Sequence, residues 1–223
     1  MIGLTTVQQF AVLIAPVLLA ITLHEVAHGW VARALGDDTA ARLGRLSLNP
    51  LRHVDPVGTV VIPLVSYFLS GMLFGWAKPV PINWNRLGHP RRDVALVAAA
   101  GPAANLLMAL LWSLVTLGAL QLEILPWMAI PLVYTGATGI LVNAVLIAIN
   151  LVPILPLDGG RILHALLPPR LAAVFARMEP FGLPILILLL LTGWLSHYLS
   201  TVVIWIIEPL PASQAVFQLL FTG

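Results

Sequence analysis

Residues 6 to 32 form one long apolar run, and its second half carries two imidazoles and a carboxylate in the stretch Leu23-His24-Glu25-Val26-Ala27-His28-Gly29. As a helix the run spans roughly 40 Å, enough to cross a bilayer, with Pro16 a candidate kink. It is too long, and lacks the basic start, of a cleavable signal peptide, so it is expected to remain as a span. A helix turns by about 100° per residue, which puts His24 and His28 on one face, where they can hold one metal ion. Zinc is the default: two neutral imidazoles, one further ligand and an open position make the usual catalytic site, with Glu25 placed to accept a proton from water. In a soluble helix so short a pattern is often chance. Inside a membrane a central charge costs at least about 2.5 kcal/mol, so three ionisable groups in five residues require a metal or a function.

The rest of the chain supports the membrane setting. Of 223 residues, 60% are apolar and 9% charged, against about 25% charged in a typical soluble domain. The expected fold is therefore an all-α polytopic membrane protein, a single domain over residues 1–223 with no room for a separate soluble module. The net charge of +2 reports orientation rather than a partner; the lipid bilayer is the expected surrounding and no nucleic acid is expected. Without cysteine, thiolate ligands and disulfides are excluded.

After Arg33 the chain turns polar from Gly36 to Asp55. His53 and Asp55 there fit a turn hydrogen bond better than a second metal pair. Val57 to Gly75 is apolar but interrupted by Pro63, Gly71 and Gly75. Trp76 to Asn83, with alternating prolines, reads either as an extended surface strand presented towards the site or as a plain connector. Further spans are expected from Val94 to Leu120, from Trp127 to Leu151 and from about 181 to 207, with the tail from Glu208 lying at the interface. Asn105 is the polar exception in the first of these segments, either packing helices together or serving a site. Asn150 to Arg161 contains Pro153 and Pro156, which free backbone polar groups at membrane depth; that is tolerated only where the backbone is buried in protein or lines a cavity. Asp158 is the best available third ligand, or an N-cap of a short helix from Gly159 to Leu167, or both. His89, His164 and His197 lack partners at ligand spacing.

The arginines discriminate between topologies. If every apolar segment crosses, Arg33 to Arg52 and Lys78 to Arg92 fall on opposite sides. If residues 57–75 instead dip in and return, all eleven Lys and Arg residues lie on one side, as the positive-inside rule prefers, and Asp158 returns to the side of His24 and His28. Four full spans plus a re-entrant segment are expected, with five to six spans the alternative.

The motifs His24-Glu25-Val26-Ala27-His28, Gly101-Pro102-Ala103-Ala104-Asn105 and Asn150 through Gly160 together resemble the site-2 protease family of intramembrane zinc metalloproteases, in its compact form. Asn49-Pro50, His53 to Pro56 and Trp76 to Asn83 extend the resemblance to about Leu167, so that the core covers residues 6–167. Leu155-Pro156 departs from the paired prolines of many members. The resemblance implies one Zn²⁺ per chain held by His24, His28 and Asp158, Glu25 as general base, and Asn105 and Asn150 near the substrate. A substrate helix must unwind before cleavage, and an extended edge at Pro79, Val80, Pro81, Ile82 and Asn83 is suited to hold it as an added strand. The implied substrate is a single-span membrane protein or the remnant of one after earlier cleavage, in the cytoplasmic membrane, with the site nearer the cytoplasmic side. The competing classes are a metal-ion transporter, which explains the ligands but not Glu25, and a non-catalytic scaffold.

Overall fold

The computed structural model describes residues 5–61, 78–121 and 126–220, and it is helical throughout its regular elements. The first helix, α1 (Thr6–Ala34), starts with a capping box: Gln8 N donates to Thr5 Oγ1 at 3.3 Å, and Thr5 N donates to Gln8 Oε1 at 2.9 Å. Pro16 lies within α1 without ending it. Its C-terminus closes at Gly36, whose φ of 111° takes the left-handed conformation that lets Asp37 N bond back to Ala32 O at 2.9 Å. A one-turn helix α2 (Thr39–Arg42) follows, and then the chain runs through short turns to Val61. Two long helices, α3 (Pro90–Leu120) and α4 (Pro126–Asn150), complete the central bundle.

Within the bundle α1 runs antiparallel to α3, because His28 meets Val97 while Ala20 meets Asn105. In turn α3 runs antiparallel to α4: Asn105 meets Asn143, and Gly136 packs on Thr116. The C-terminus of α1, the start of α3 and the end of α4 therefore share one end of the molecule. Among the described residues three helices, Phe10–Ala34, Pro90–Leu120 and Trp127–Asn150, are long and apolar enough to cross a membrane.

The sorting of side chains is that of a membrane bundle. On α3 the buried face is Val97, Gly101, Asn105, Ala109, Ser113 and Thr116, a stripe of small and polar groups at three- and four-residue spacing, while Leu106, Leu107, Leu111 and Leu114 point outward. Lipid tails solvate leucine as well as a protein interior does, so the inward face is given to residues that allow close approach and hydrogen bonding. Three of the expected spans thus stand, their ends shifted by a few residues.

The C-terminal part departs from expectation. The span expected over 181–207 is two short helices, α7 (Gly182–Leu191) and α8 (Trp194–Ile207), separated at Gly193 with φ 77°. At 1.5 Å per residue they measure roughly 15 and 21 Å, short of the ~30 Å hydrocarbon core. They pack on each other through Leu186 and Leu195, with Val152 beneath. Before them α5 (Asp158–Leu166) and α6 (Pro169–Ala176) follow the proline-broken segment 151–157. The tail packs on the bundle. Ala212 N donates to the buried Ser113 Oγ at 2.9 Å, and α9 (Ser213–Leu220) places Val216 in the core beside Ala137, Ile140 and Ile207. The expected re-entrant excursion of 57–75 falls mostly on residues 62–77, outside the described residues.

Candidate metal centre

Two elements bring their side chains together inside the bundle. One face of α1 presents His24 and His28, and the first turn of α5 presents Asp158. The Nε2 atoms of the two histidines lie 3.0 Å apart, and Asp158 Oδ2 lies 3.2 Å from the first and 3.4 Å from the second. All three residues are buried.

The protons on the imidazoles follow from what lies behind them. His28 Nδ1 is 2.7 Å from the carbonyl oxygen of Val97, an acceptor only, so Nδ1 carries the hydrogen. His24 Nδ1 is 2.5 Å from Asn105 Oδ1 and donates to it. Both Nε2 atoms in the neutral rings therefore expose bare lone pairs towards each other and towards a carboxylate oxygen. Asp158 Oδ2 accordingly finds no hydrogen-bond donor, although it is buried. Three acceptors facing one another without a proton between them are mutually repulsive, and a cation at their centre removes that repulsion. A tetrahedral ion with bonds of ~2.0–2.2 Å needs ligand atoms about 3.3–3.6 Å apart, close to the triangle observed here. Two imidazole nitrogens and one carboxylate oxygen suit zinc among the common divalent ions.

By sequence Asp158 also fits a helix cap. Leu157 occupies the N-cap position and Asp158 is the first helical residue, its carboxylate facing His24 and His28. Gly159 and Gly160 behind it allow segment 151–157 to close on the helix start, since a Cβ on either would sit within 2.3–2.4 Å of the backbone at Leu151 or Ile154.

Glu25, one residue beyond His24, is half-buried. Its Oε2 accepts a hydrogen bond from Val80 N at 2.7 Å. This ties segment 78–83 to α1. The same segment is held by Lys78 N to His53 O at 2.9 Å, by Arg45 Nη2 to Lys78 O at 3.0 Å, and by Asn83 N to Asp37 Oδ2 at 2.7 Å. Residues 78–83 belong to neither a helix nor a paired strand, so the strand expected there is a single unpaired length of chain. Val80 is buried, Pro79 and Asn83 are exposed, and Pro81 and Ile82 are intermediate. At its far end Trp84 carries the guanidinium of Arg161 over its ring at 4.8 Å, joining the segment to α5.

The two asparagines separate. Asn105 is fully buried, and besides holding His24 it donates through Nδ2 to Ala20 O and Asn143 Oδ1, at 3.2 and 2.8 Å. All of its amide is committed to the protein, so the expected place beside substrate is taken by a place behind His24. Asn150 donates to Leu146 O at 2.9 Å and remains partly exposed at the end of α4. His53 and Asp55 make no second centre: His53 Nε2 donates to Ser47 O at 2.8 Å, and Asp55 Oδ1 accepts from Val57 N and Gly58 N.

Sequence reasoning missed two contributors. Gly101 passes so close to the histidines that a Cβ would lie 2.5 Å from His28 Nε2 and from His24 Cε1. Asn143 stands behind Asn105 with no exposed surface. The four-residue spacing of Val97, Gly101 and Asn105 is the signal that marks this face of α3 as the one against the centre.

No protein-family model and no solved structure matches the chain. Among curated proteins it is 38% identical over 189 residues to "Putative zinc metalloprotease YwhC" of Bacillus subtilis, covering 84% of this chain and 83% of that one. It is 30% identical over 208 residues to "Putative zinc metalloprotease Rip2" of Mycolicibacterium smegmatis, covering 92% and 76%. The Rip2 of Mycobacterium tuberculosis is 30% identical over 200 residues, covering 89% and 74%. With relatives at this level over most of both chains, and the ligand triad assembled around His24, this membrane protein belongs to the site-2 protease family.

Proposed function

We propose that the chain is an intramembrane zinc metalloendopeptidase, one domain over residues 1–223, that hydrolyses peptide bonds within or near transmembrane segments of single-span proteins or their cleaved remnants. The observation that carries the reading is the triangle of His24 Nε2, His28 Nε2 and Asp158 Oδ2 with Glu25 adjoining it inside a membrane-spanning helix. One zinc ion held there would supply a Lewis acid that acidifies water and polarises a carbonyl. Glu25 accepts the proton of the attacking water and returns it to the leaving amine. Asn105 and the Val97 carbonyl hold both rings by Nδ1, so that each Nε2 would be free to bind the ion. Segment Pro79, Val80, Pro81, Ile82 and Asn83 holds the unwound substrate; among the described residues Ile82 N and the carbonyls of Val80 and Ile82 have no partner, which supports that role. Asn150 faces the same end and is proposed to contact the scissile region.

The chain is proposed to lie in the cytoplasmic membrane, with residues 57–75 as a re-entrant segment and the centre nearer the cytoplasm. Arg33, Arg42, Arg45, Arg52, Lys78, Arg86 and Arg92 gather at the end of the bundle that also holds the site, which supports this orientation. The bond from Lys78 N to His53 O brings the two ends of residues 54–77 together, as a segment that returns to its starting side requires. A metal transporter leaves the Glu25 to Val80 bond without a purpose. The test is incubation of a helical single-span substrate with wild type and Glu25→Gln, read by mass spectrometry of fragments. Cleavage by the wild type alone is expected; equal cleavage by both, or zinc flux into proteoliposomes without any cleavage, overturns the reading.

A further inference from the structure

Behind the metal centre a line of side chains runs across the bundle with one direction of hydrogen bonding. His24 Nδ1 donates to Asn105 Oδ1 at 2.5 Å, Asn105 Nδ2 to Asn143 Oδ1 at 2.8 Å, and Asn143 Nδ2 to the carbonyl of Gly139 at 2.8 Å. The line crosses from α1 through α3 to α4, and both asparagines have no exposed surface.

Its direction is fixed from the far end. The Gly139 carbonyl can only accept, so the Asn143 atom facing it is the nitrogen and the one facing Asn105 is the oxygen. Asn105 must then present nitrogen to Asn143, and it does so to a second obligate acceptor as well, the carbonyl of Ala20 at 3.2 Å. Its remaining oxygen faces His24, which leaves Nδ1 as the protonated ring nitrogen and Nε2 bare. His28 needs no such device because the Val97 carbonyl sits directly behind it.

We propose that Asn143 is a positioning residue for the metal centre: acting through Asn105, it selects the His24 tautomer whose Nε2 lone pair faces His28 and Asp158. The assignment rests on the reading of His24 as a metal ligand. Without the Asn143 acceptor, Asn105 Nδ2 keeps only Ala20 O, the amide loses one of its two orienting partners, and the other His24 tautomer becomes populated. Hydrogen bonds in a chain of one polarity also strengthen one another, so the loss at Asn143 is felt at the ring.

The experiment labels histidine with ¹⁵N and reads the ring nitrogens of His24 in metal-free protein in detergent, the resonances being assigned by their loss in His24→Gln. In parallel, zinc affinity is measured by chelator competition, with helix content and Tm as controls. Wild type should show Nδ1 protonated. Asn143→Leu, equal in size but without the amide, should show both tautomers and bind zinc about tenfold more weakly, at the low end of the loss for groups behind metal ligands. Asn143→Asp keeps an acceptor towards Asn105 and should keep the wild-type tautomer. A wild-type His24 protonated on Nε2 overturns the proposal before any variant is made. A folded Asn143→Leu with unchanged tautomer and zinc affinity also overturns it, as does an equal loss in the Leu and Asp variants. If wild type shows the expected tautomer yet binds no zinc, the relay stands and the metal assignment falls.

Discussion

Glu25 Oε2 accepts a hydrogen bond from Val80 N at 2.7 Å, so the proposed base and the segment proposed to hold substrate are joined by one contact. Glutamine at this position keeps an oxygen that can accept the same bond, whereas alanine removes it. Glu25→Gln should leave Tm and zinc content near wild type while peptide hydrolysis falls by at least about 10²–10⁴-fold. Glu25→Ala should lose activity equally and in addition destabilise the protein by about 1.5–3 kcal/mol, the range for a hydrogen bond to a charged group. Thermal melts of the two variants, together with metal analysis, check this; identical melts would mean that the contact does not hold the segment.

Gly101→Ala adds a methyl group 2.5 Å from His28 Nε2, and the obstacle is the ligand pair itself rather than a flexible side chain end. Helix α3 must then back away from α1, which displaces Val97 and Asn105 from the two rings they orient. Overpacking of this kind costs about 1–3 kcal/mol. Zinc affinity should fall by about tenfold or more, as on loss of the groups behind metal ligands. Chelator competition on the purified variant measures it, and wild-type affinity would show that α3 yields without disturbing the centre.

Asp37 lies at the turn after α1, buried, and burial alone would push its carboxyl up. Hydrogen bonds from Thr39 Oγ1, Asn83 N and Thr39 N, with Arg86 nearby, outweigh burial and hold it below the usual carboxylate range. A lowered folded value means that its contribution is fully present above the unfolded value of about 3.9 and is lost as pH falls through the folded one. Melts from pH 6 down to pH 2.5 should therefore show an acid-side loss that is smaller in Asp37→Asn, where Asp93, held by His89 N and Arg92, still contributes. Parallel curves for the two proteins would remove Asp37 from the acid sensitivity.

Much of this was legible from residue types. The His24 and His28 pair follows from the helical repeat, and the three long spans follow from apolar length, because both depend on local pattern alone. Residue type alone leaves Asp158 open as ligand or cap, and the structure, in which Leu157 takes the cap position, separates the two. The break at Gly193 was hidden because two short apolar helices and one long span have the same hydropathy, and nothing local reveals a left-handed turn at one glycine. The docking of the tail depends on Ser113 and Ala212, 99 residues apart, and the direction of the Asn105 and Asn143 amides depends on carbonyls that carry no sequence signature.

Cysteine scanning tests the topology in a chain that has no cysteine of its own. Arg45, Arg86 and Arg170 replaced singly should label from one side of the membrane. Thr5 and Gln121, at the opposite ends of α1 and α3, should label from the other. Opposite labelling of positions 45 and 86 would require residues 57–75 to cross fully, and the placement of both basic segments on the cytoplasmic side would be withdrawn.

Asp158→Asn separates the metal reading from a structural one most sharply, because its two expected effects have opposite signs. In metal-free protein the Asp158 carboxylate faces two bare imidazole nitrogens at 3.2 and 3.4 Å, with no donor to Oδ2. An asparagine Nδ2 in the same place donates to one of them, and leaving a buried acceptor unsatisfied costs about 1–3 kcal/mol, so the metal-free variant should melt higher than metal-free wild type. With zinc the order should reverse, since a neutral amide is a poorer ligand than a carboxylate and the stabilisation conferred by bound metal grows with affinity. Melts of both proteins with chelator and with a zinc excess give the four values needed. A purely structural Asp158 predicts a variant that is less stable in both conditions by the same amount, and that result would remove Asp158 from the ligand set.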